Sequence, residues 1–66
     1  MWRVYYNNGV DPIVELGIYD TKRQAISIKK TFIFNSTKDK VYPTYEDSRT
    51  DFREYNIMTL IERVGE

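Results

Sequence analysis

The segment Ile13–Ala25, IVELGIYDTKRQA, decides the fold because its apolar spacing changes from that of a strand to that of a helix. Up to Tyr19 the residues alternate with a period of two, which is typical of a strand with one buried face. The residues expected to point inward are Val14, Leu16 and Ile18, and those expected to point outward are Glu15, Gly17 and Tyr19. A strand over Ile13–Tyr19 is therefore predicted.

A helix is expected directly after this strand. Thr21 and Gln24 have the spacing of a capping box, in which the N-cap and N3 side chains bond each other's backbone amides. The pattern predicts a helix over residues 22–34, ended by residues 35–37. At about 100° per residue its apolar side chains form two stripes. The first contains Ala25, Ile28 and Phe32, and the second contains Ile26 and Ile33.

One stripe must cover the sheet. The second is either sealed by the following loop or left exposed for a partner. The presence of Tyr42 and Tyr45 in that loop favours sealing.

The beginning of the chain predicts the other half of a β-hairpin. Trp2–Tyr6 is rich in β-forming residues, and Asn7–Gly9 is a turn signal because Asn and Gly tolerate positive φ. Trp2, Val4 and Tyr6 are expected to share one face.

The second half of the chain is harder to interpret. Residues 40–45 are typical of a short edge strand, and residues 46–51 of a polar loop. The β-branched residues within 52–64, and the need for a third strand, favour a strand there. A helix over 52–64 is the rival, since Asp51 and Glu54 also have capping-box spacing and Gly65 is a reasonable C-cap. We expect a single α+β domain over 1–66, in the order β-β-α-(β)-β, with a small antiparallel sheet of hairpin and C-terminal strand packed on one helix.

Two residue types are missing from this chain, histidine and cysteine. Their absence removes Ser-His-Asp and Cys-His catalysis, together with zinc, redox and iron–sulfur sites. The acidic residues of the C-terminal third match no calcium loop, and carboxylate catalysis needs a cleft that so short a chain rarely builds. We therefore predict a protein that is not an enzyme and needs no cofactor or metal.

Length favours association with a partner. A chain of 66 residues buries only a small core, and this one has no disulfide or metal to supplement it. A homodimer or a hetero-complex is predicted. The chain has no apolar run of about 20 residues and no signal-peptide pattern at its start, so a cytoplasmic location without membrane contact is expected.

Aromatic residues suggest how such a partner would be bound. The chain has six tyrosines, three phenylalanines and one tryptophan, and tyrosine and tryptophan are enriched at protein–protein hot spots. The candidate protein-binding residues are Tyr5, Tyr19, Tyr42 and Tyr45 as anchors, with Lys29 and Lys30 as charges at the rim.

A basic segment supports an alternative function. Residues 22–40 contain six bases and one acid, with Phe34 and Tyr42 nearby for base stacking, which could serve a nucleic-acid-binding module. The neutral net charge and the acidic C-terminal third argue against it. A third possibility is an accessory subunit whose only role is assembly.

The hairpin order and the segment Leu16–Ala25, LGIYDTKRQA, resemble small uncharacterised bacteriophage and prophage β-β-α-β proteins. In these proteins a strand ending in G-[VI]-[YF]-[DS]-[ST] leads straight into a helix, and the resemblance covers the first half of this chain. It implies a phage-encoded inhibitor or modulator of a larger host or defence protein, acting in the host cytoplasm.

Overall fold

Three strands and two helices make up the chain in the order β-β-α-α-β, in a computed structural model that describes residues 1–65. They are β1 (Trp2–Tyr6), β2 (Val14–Tyr19), α1 (Lys22–Thr37), α2 (Tyr45–Met58) and β3 (Thr59–Arg63). The strands form an antiparallel sheet in the order β2-β1-β3. The predicted α+β class, with an N-terminal hairpin and a C-terminal strand, is confirmed.

A bulge in β2 changes which side chains face the helices. Val4 pairs with Gly17 whereas Tyr5 pairs with Glu15, so Leu16 is an extra residue in the ladder. An extra residue shifts the alternation by one. Directly opposed residues share a face, so Gly17 and Tyr19 lie on the helix side with Val4 and Trp2. Ile18 lies on the open side, opposite Arg3. The predicted orientations of Gly17, Ile18 and Tyr19 are wrong for this reason.

Helix α1 begins as predicted and ends later. The Oγ1 of Thr21 accepts from the amide of Gln24 at 3.2 Å, and the Oε1 of Gln24 accepts from the amide of Thr21 at 3.2 Å. The helix continues through residues 35–37. The Oγ1 of Thr37 donates to the carbonyl of Ile33 at 2.8 Å, so the hydroxyl of this last helical residue is paired within the helix.

Helix α2 is the main departure from the sequence prediction. The expected edge strand over 40–45 and the loop over 46–51 are wrong, because Thr44 caps a helix and its Oγ1 accepts from the amide of Asp47 at 3.2 Å. Acidic residues in the first turn favour this N-terminus. The alternative prediction of a helix is correct for residues 52–58, although the observed helix begins earlier, at Tyr45. The predicted strand is correct only for Thr59–Arg63, where Thr59 pairs with Tyr6.

The buried core is small and lies between α1 and the sheet. Among the residues that the structure describes, the buried apolar ones are Val4, Ala25 and Ile33, and the buried polar one is Thr59. No residue of α2 is fully buried. This helix is attached through the stacked rings of Tyr6 and Tyr55, whose centroids are 5.6 Å apart.

The molecule is elongated. Its radius of gyration is 12.9 Å, compared with about 11 Å for a typical domain of this length. The elongated shape and the lack of buried residues in α2 leave one side of that helix uncovered.

Thr59 gives a first prediction about the core. Its side-chain Oγ1 is buried and has no hydrogen-bond partner among residues 1–65, and burying an unpaired hydroxyl is unfavourable. Thr59→Val keeps the β-branched shape that suits a strand. We expect it to raise the free energy of unfolding by about 1 kcal/mol in urea denaturation. A lower stability would show that the hydroxyl does form a hydrogen bond.

Candidate functional site

A groove runs between α1 and α2, with β3 contributing to its floor. It contains a cavity of about 650 Å³ and a second of about 530 Å³. Both cavities are lined by Thr37, Phe52 and Asn56, so they lie next to each other along the groove. The apolar residues of the larger cavity are Ile26, Ile33 and Phe34 from α1, Phe52 from α2 and Ile61 from β3.

The second apolar stripe of α1 opens into this groove. Ile33 is only 2% exposed, whereas Ile26 is 38% exposed. The expectation that Tyr42 and Tyr45 seal the stripe is wrong. Both tyrosines line the smaller cavity, and Tyr45 is itself 75% exposed. An apolar strip from Ile26 to Phe34 therefore remains accessible along α1.

Positive charge surrounds the groove. Lys29 and Lys30 of α1 line the larger cavity, and Arg49 and Arg53 of α2 line the smaller one. No Asp or Glu among residues 1–65 lines either cavity, and within the same range none of these four cations forms an ion pair. Burial lowers the pKa of Lys29. In a chain of zero net charge, this is a local excess of positive charge.

A polar network holds the α1–α2 connection against α2. The Nζ of Lys40 donates to the Oδ2 of Asp51 at 3.0 Å and to the hydroxyl of Tyr55 at 3.4 Å. The hydroxyl of Tyr42 also donates to Asp51. These contacts fix the position of α2 and with it the second wall of the groove.

The pKa values of this network follow from the shared hydrogen bonds. The bond from Tyr42, followed by that from Lys40, lowers the pKa of Asp51. The same carboxylate raises the pKa of Tyr42. The charged form of Asp51 and the neutral form of Tyr42 are therefore both favoured by folding.

These shifts predict how stability depends on pH. A carboxyl whose pKa is lowered by folding stabilises the protein above its unfolded pKa, and that contribution is lost as pH falls through the folded value. Asp51→Asn should therefore lower Tm at neutral pH and flatten its decline below about pH 4. The pKa of Glu15 is also lowered, chiefly by its hydrogen bond with Arg3, so part of the decline should remain. An unchanged acid limb, measured by circular dichroism, would show that Asp51 contributes nothing.

The six predicted binding residues separate into two groups. Lys29, Lys30, Tyr42 and Tyr45 all line the groove. Tyr5 instead lies on the open face of the sheet, where the Cζ of Arg3 is 4.0 Å from its ring centroid.

Tyr19 is on the helix side of the sheet, contrary to the predicted orientation. Its hydroxyl donates to the carbonyl of Leu16 at 2.6 Å and lies over Gly17. Neither Tyr5 nor Tyr19 reaches the groove.

Residues missed by the sequence analysis come mainly from α2. Phe52, Arg49 and Arg53 line the groove, whereas the sequence pattern predicts a loop and a strand at these positions. The signal for them was the Thr44–Asp47 spacing after Pro43, which is typical of a helix start. A helix from Tyr45 would have placed Arg49, Phe52 and Asn56 on one face.

Comparison with known proteins gives no match, whether with family models, with curated proteins or with solved structures. Over residues 1–65, no helix is long and apolar enough to cross a membrane. The same part of the chain has no group of three or more acidic, histidine or cysteine side chains placed to hold a metal ion.

Proposed function

We propose that this chain is a small, non-enzymatic protein-binding module whose groove holds apolar side chains of a partner protein. The observation that supports this proposal is the open apolar floor between two helices, one of which has no fully buried residue. Exposed apolar surface of this kind is typical of interaction sites.

The dimensions of the groove suit a segment of protein. Ile26 and Phe34 are eight positions apart on α1, which corresponds to about 12 Å along the helix. This length accommodates about two turns of a bound helix. The aliphatic side chains of Ile26 and Ile61, together with the exposed rings of Phe34 and Phe52, provide apolar surface for the side chains of such a segment.

The resemblance to small phage proteins suggests which class of protein the partner belongs to. Under this proposal the partner is a larger host or defence protein, and the chain acts as its inhibitor or modulator. Nucleic-acid binding through residues 22–40 is the competing function, and it predicts binding that weakens steeply with salt.

Site-specific photo-crosslinking tests the proposed function. A photoreactive phenylalanine analogue replaces Phe52 in one variant and Ile57 in a control. Ile57 is on the same helix and is 65% exposed, but it lines neither cavity. In nuclease-treated bacterial lysate we expect a discrete crosslinked protein from position 52 and none from position 57. Equal crosslinking at both positions, or at position 57 alone, would rule out the groove as the binding surface.

A further inference from the structure

Resting on the proposed function, we infer that the segment bound in the groove is an acidic amphipathic helix of a foreign protein. The positive charge that lines the groove is the evidence that the bound segment is acidic. Four cations line the groove, no acidic side chain among residues 1–65 lines it, and none of the four is neutralised by an ion pair within that range. A partner with carboxylates beside its apolar residues complements this surface.

The construction of the walls favours a helix over an extended peptide. The walls are α1 and α2, whose backbone amides and carbonyls are bonded within the helices. An extended segment between them would bury backbone groups without partners, which is unfavourable. A bound helix avoids this cost because its backbone hydrogen bonds are formed within the helix itself. Its apolar residues at i, i+4 and i+7 cover about the length of the apolar strip.

A second copy of this chain is a poorer occupant. In a two-fold symmetric dimer the same patch meets itself, so the cationic groove, with Lys29, Lys30, Arg49 and Arg53, would be brought against the same set of cations on the partner copy. A head-to-tail arrangement could instead insert the outer face of α2, with Glu46, Glu54 and Ile57, into the groove of the next copy. A head-to-tail contact joins copies into rings or open chains, so it would appear as a mass that grows with concentration.

Nucleic acid is disfavoured by where the other cations lie. Arg23 and Lys38 line neither cavity. Lys22 lies above the ring of Trp2, with its Nζ 5.4 Å from the ring centroid. Of the six basic residues of 22–40, only Lys29 and Lys30 line the groove, so most of the predicted basic segment does not contribute to it.

Three labelled peptides of about 16 residues test this inference directly. They share leucines at i, i+4, i+7 and i+11 and differ only at the flanking positions, which are Glu, Gln or Lys. Fluorescence anisotropy measures their affinity for the full chain at about 50 and about 500 mM NaCl. We expect the Glu peptide to bind about tenfold more tightly than the Gln peptide and to lose most of this advantage at high salt. The Lys peptide should bind most weakly.

Two double variants with the same net charge show whether the preference for the Glu peptide depends on the cations of the groove. Lys30→Gln with Arg53→Gln removes two cations of the groove, and Arg23→Gln with Lys38→Gln removes two cations outside it. The first variant should weaken binding of the Glu peptide by about fivefold and leave the Gln peptide unchanged. The second should change neither by more than about twofold.

The remaining outcomes overturn the inference. Equal affinities for the Glu and Gln peptides, both lost on Phe52→Ala, would refute the acidic preference while leaving the protein-binding function intact. No binding of any peptide would refute the helical ligand, whereas crosslinking at position 52 reports independently on the proposed function. Tighter binding of a single-stranded oligonucleotide than of the Glu peptide would favour nucleic acid. Growth in mass with concentration, reversed by the Glu peptide, would identify a second copy as the occupant.

Discussion

Ile33→Ala should lower the free energy of unfolding by about 3 kcal/mol, the value typical of an isoleucine removed from a core. Ile33 is one of three buried apolar residues among residues 1–65 and lies on α1, which contacts all three strands of the sheet. A domain of this length has a total stability of about 3 to 10 kcal/mol. The substitution should therefore remove from about a third to nearly all of the free energy of unfolding.

Ile26→Ala is the matched control. Ile26 lies two turns earlier on the same stripe of α1 but is 38% exposed in the groove. We expect a smaller loss of about 1 to 2 kcal/mol, because more than a third of the Ile26 side chain is already in contact with water. Urea denaturation followed by circular dichroism measures both variants. Similar losses at the two positions would mean that the stripe is sealed, as the sequence alone suggested.

The second large effect is expected in binding. Phe52→Ala should weaken the affinity for the protein crosslinked at this position by about thirtyfold, as for a hot-spot residue at an interface. Phe52 lines both cavities and yet is 56% exposed. Its removal should thus reduce binding without unfolding the chain.

Ile57→Ala controls for a general effect of removing apolar surface from α2. We expect a change in affinity below about twofold, since Ile57 lies outside the groove. Isothermal titration calorimetry measures both affinities, and circular dichroism checks that both variants are folded. If the two substitutions weaken binding equally, α2 contributes through its outer face and the proposed site is wrong.

Local signals in the sequence were sufficient for the first half of the fold. The turn after Tyr6 and the capping box of Thr21 and Gln24 depend on neighbouring residues alone, and both elements formed as predicted. The bulge at Leu16 could not be predicted, because it depends on how β2 pairs with β1. One extra residue was enough to exchange the faces of Ile18 and Tyr19.

The second half of the chain depends on tertiary contacts. Residues 46–51 contain no apolar residue and read as a loop, although they form the exposed beginning of α2. The β-branched residues near the C-terminus predict a strand within residues 52–64, which starts earlier than the observed strand at Thr59. In the structure the helix gives way to a strand only at Thr59, where pairing with β1 begins.

Four of the six predicted binding residues line the groove and two do not, and the sequence does not predict the groove as a surface. Lys29, Lys30, Tyr42 and Tyr45 were named individually, and all four line the groove. The groove itself needs α2 as its second wall, so it could not be inferred while that helix was read as a loop and a strand. The homodimer and the cytoplasmic location stay predictions.

The most direct measurement of the central claim is an NMR titration of the ¹⁵N-labelled chain with the crosslinked partner. We predict that the largest amide shift changes fall on both walls of the groove, at residues such as Lys30, Phe34, Phe52 and Asn56. The open face of the sheet, marked by Ile18 and Leu60, should change little. Changes centred on Ile18 and Leu60, with the groove unaffected, would contradict the account.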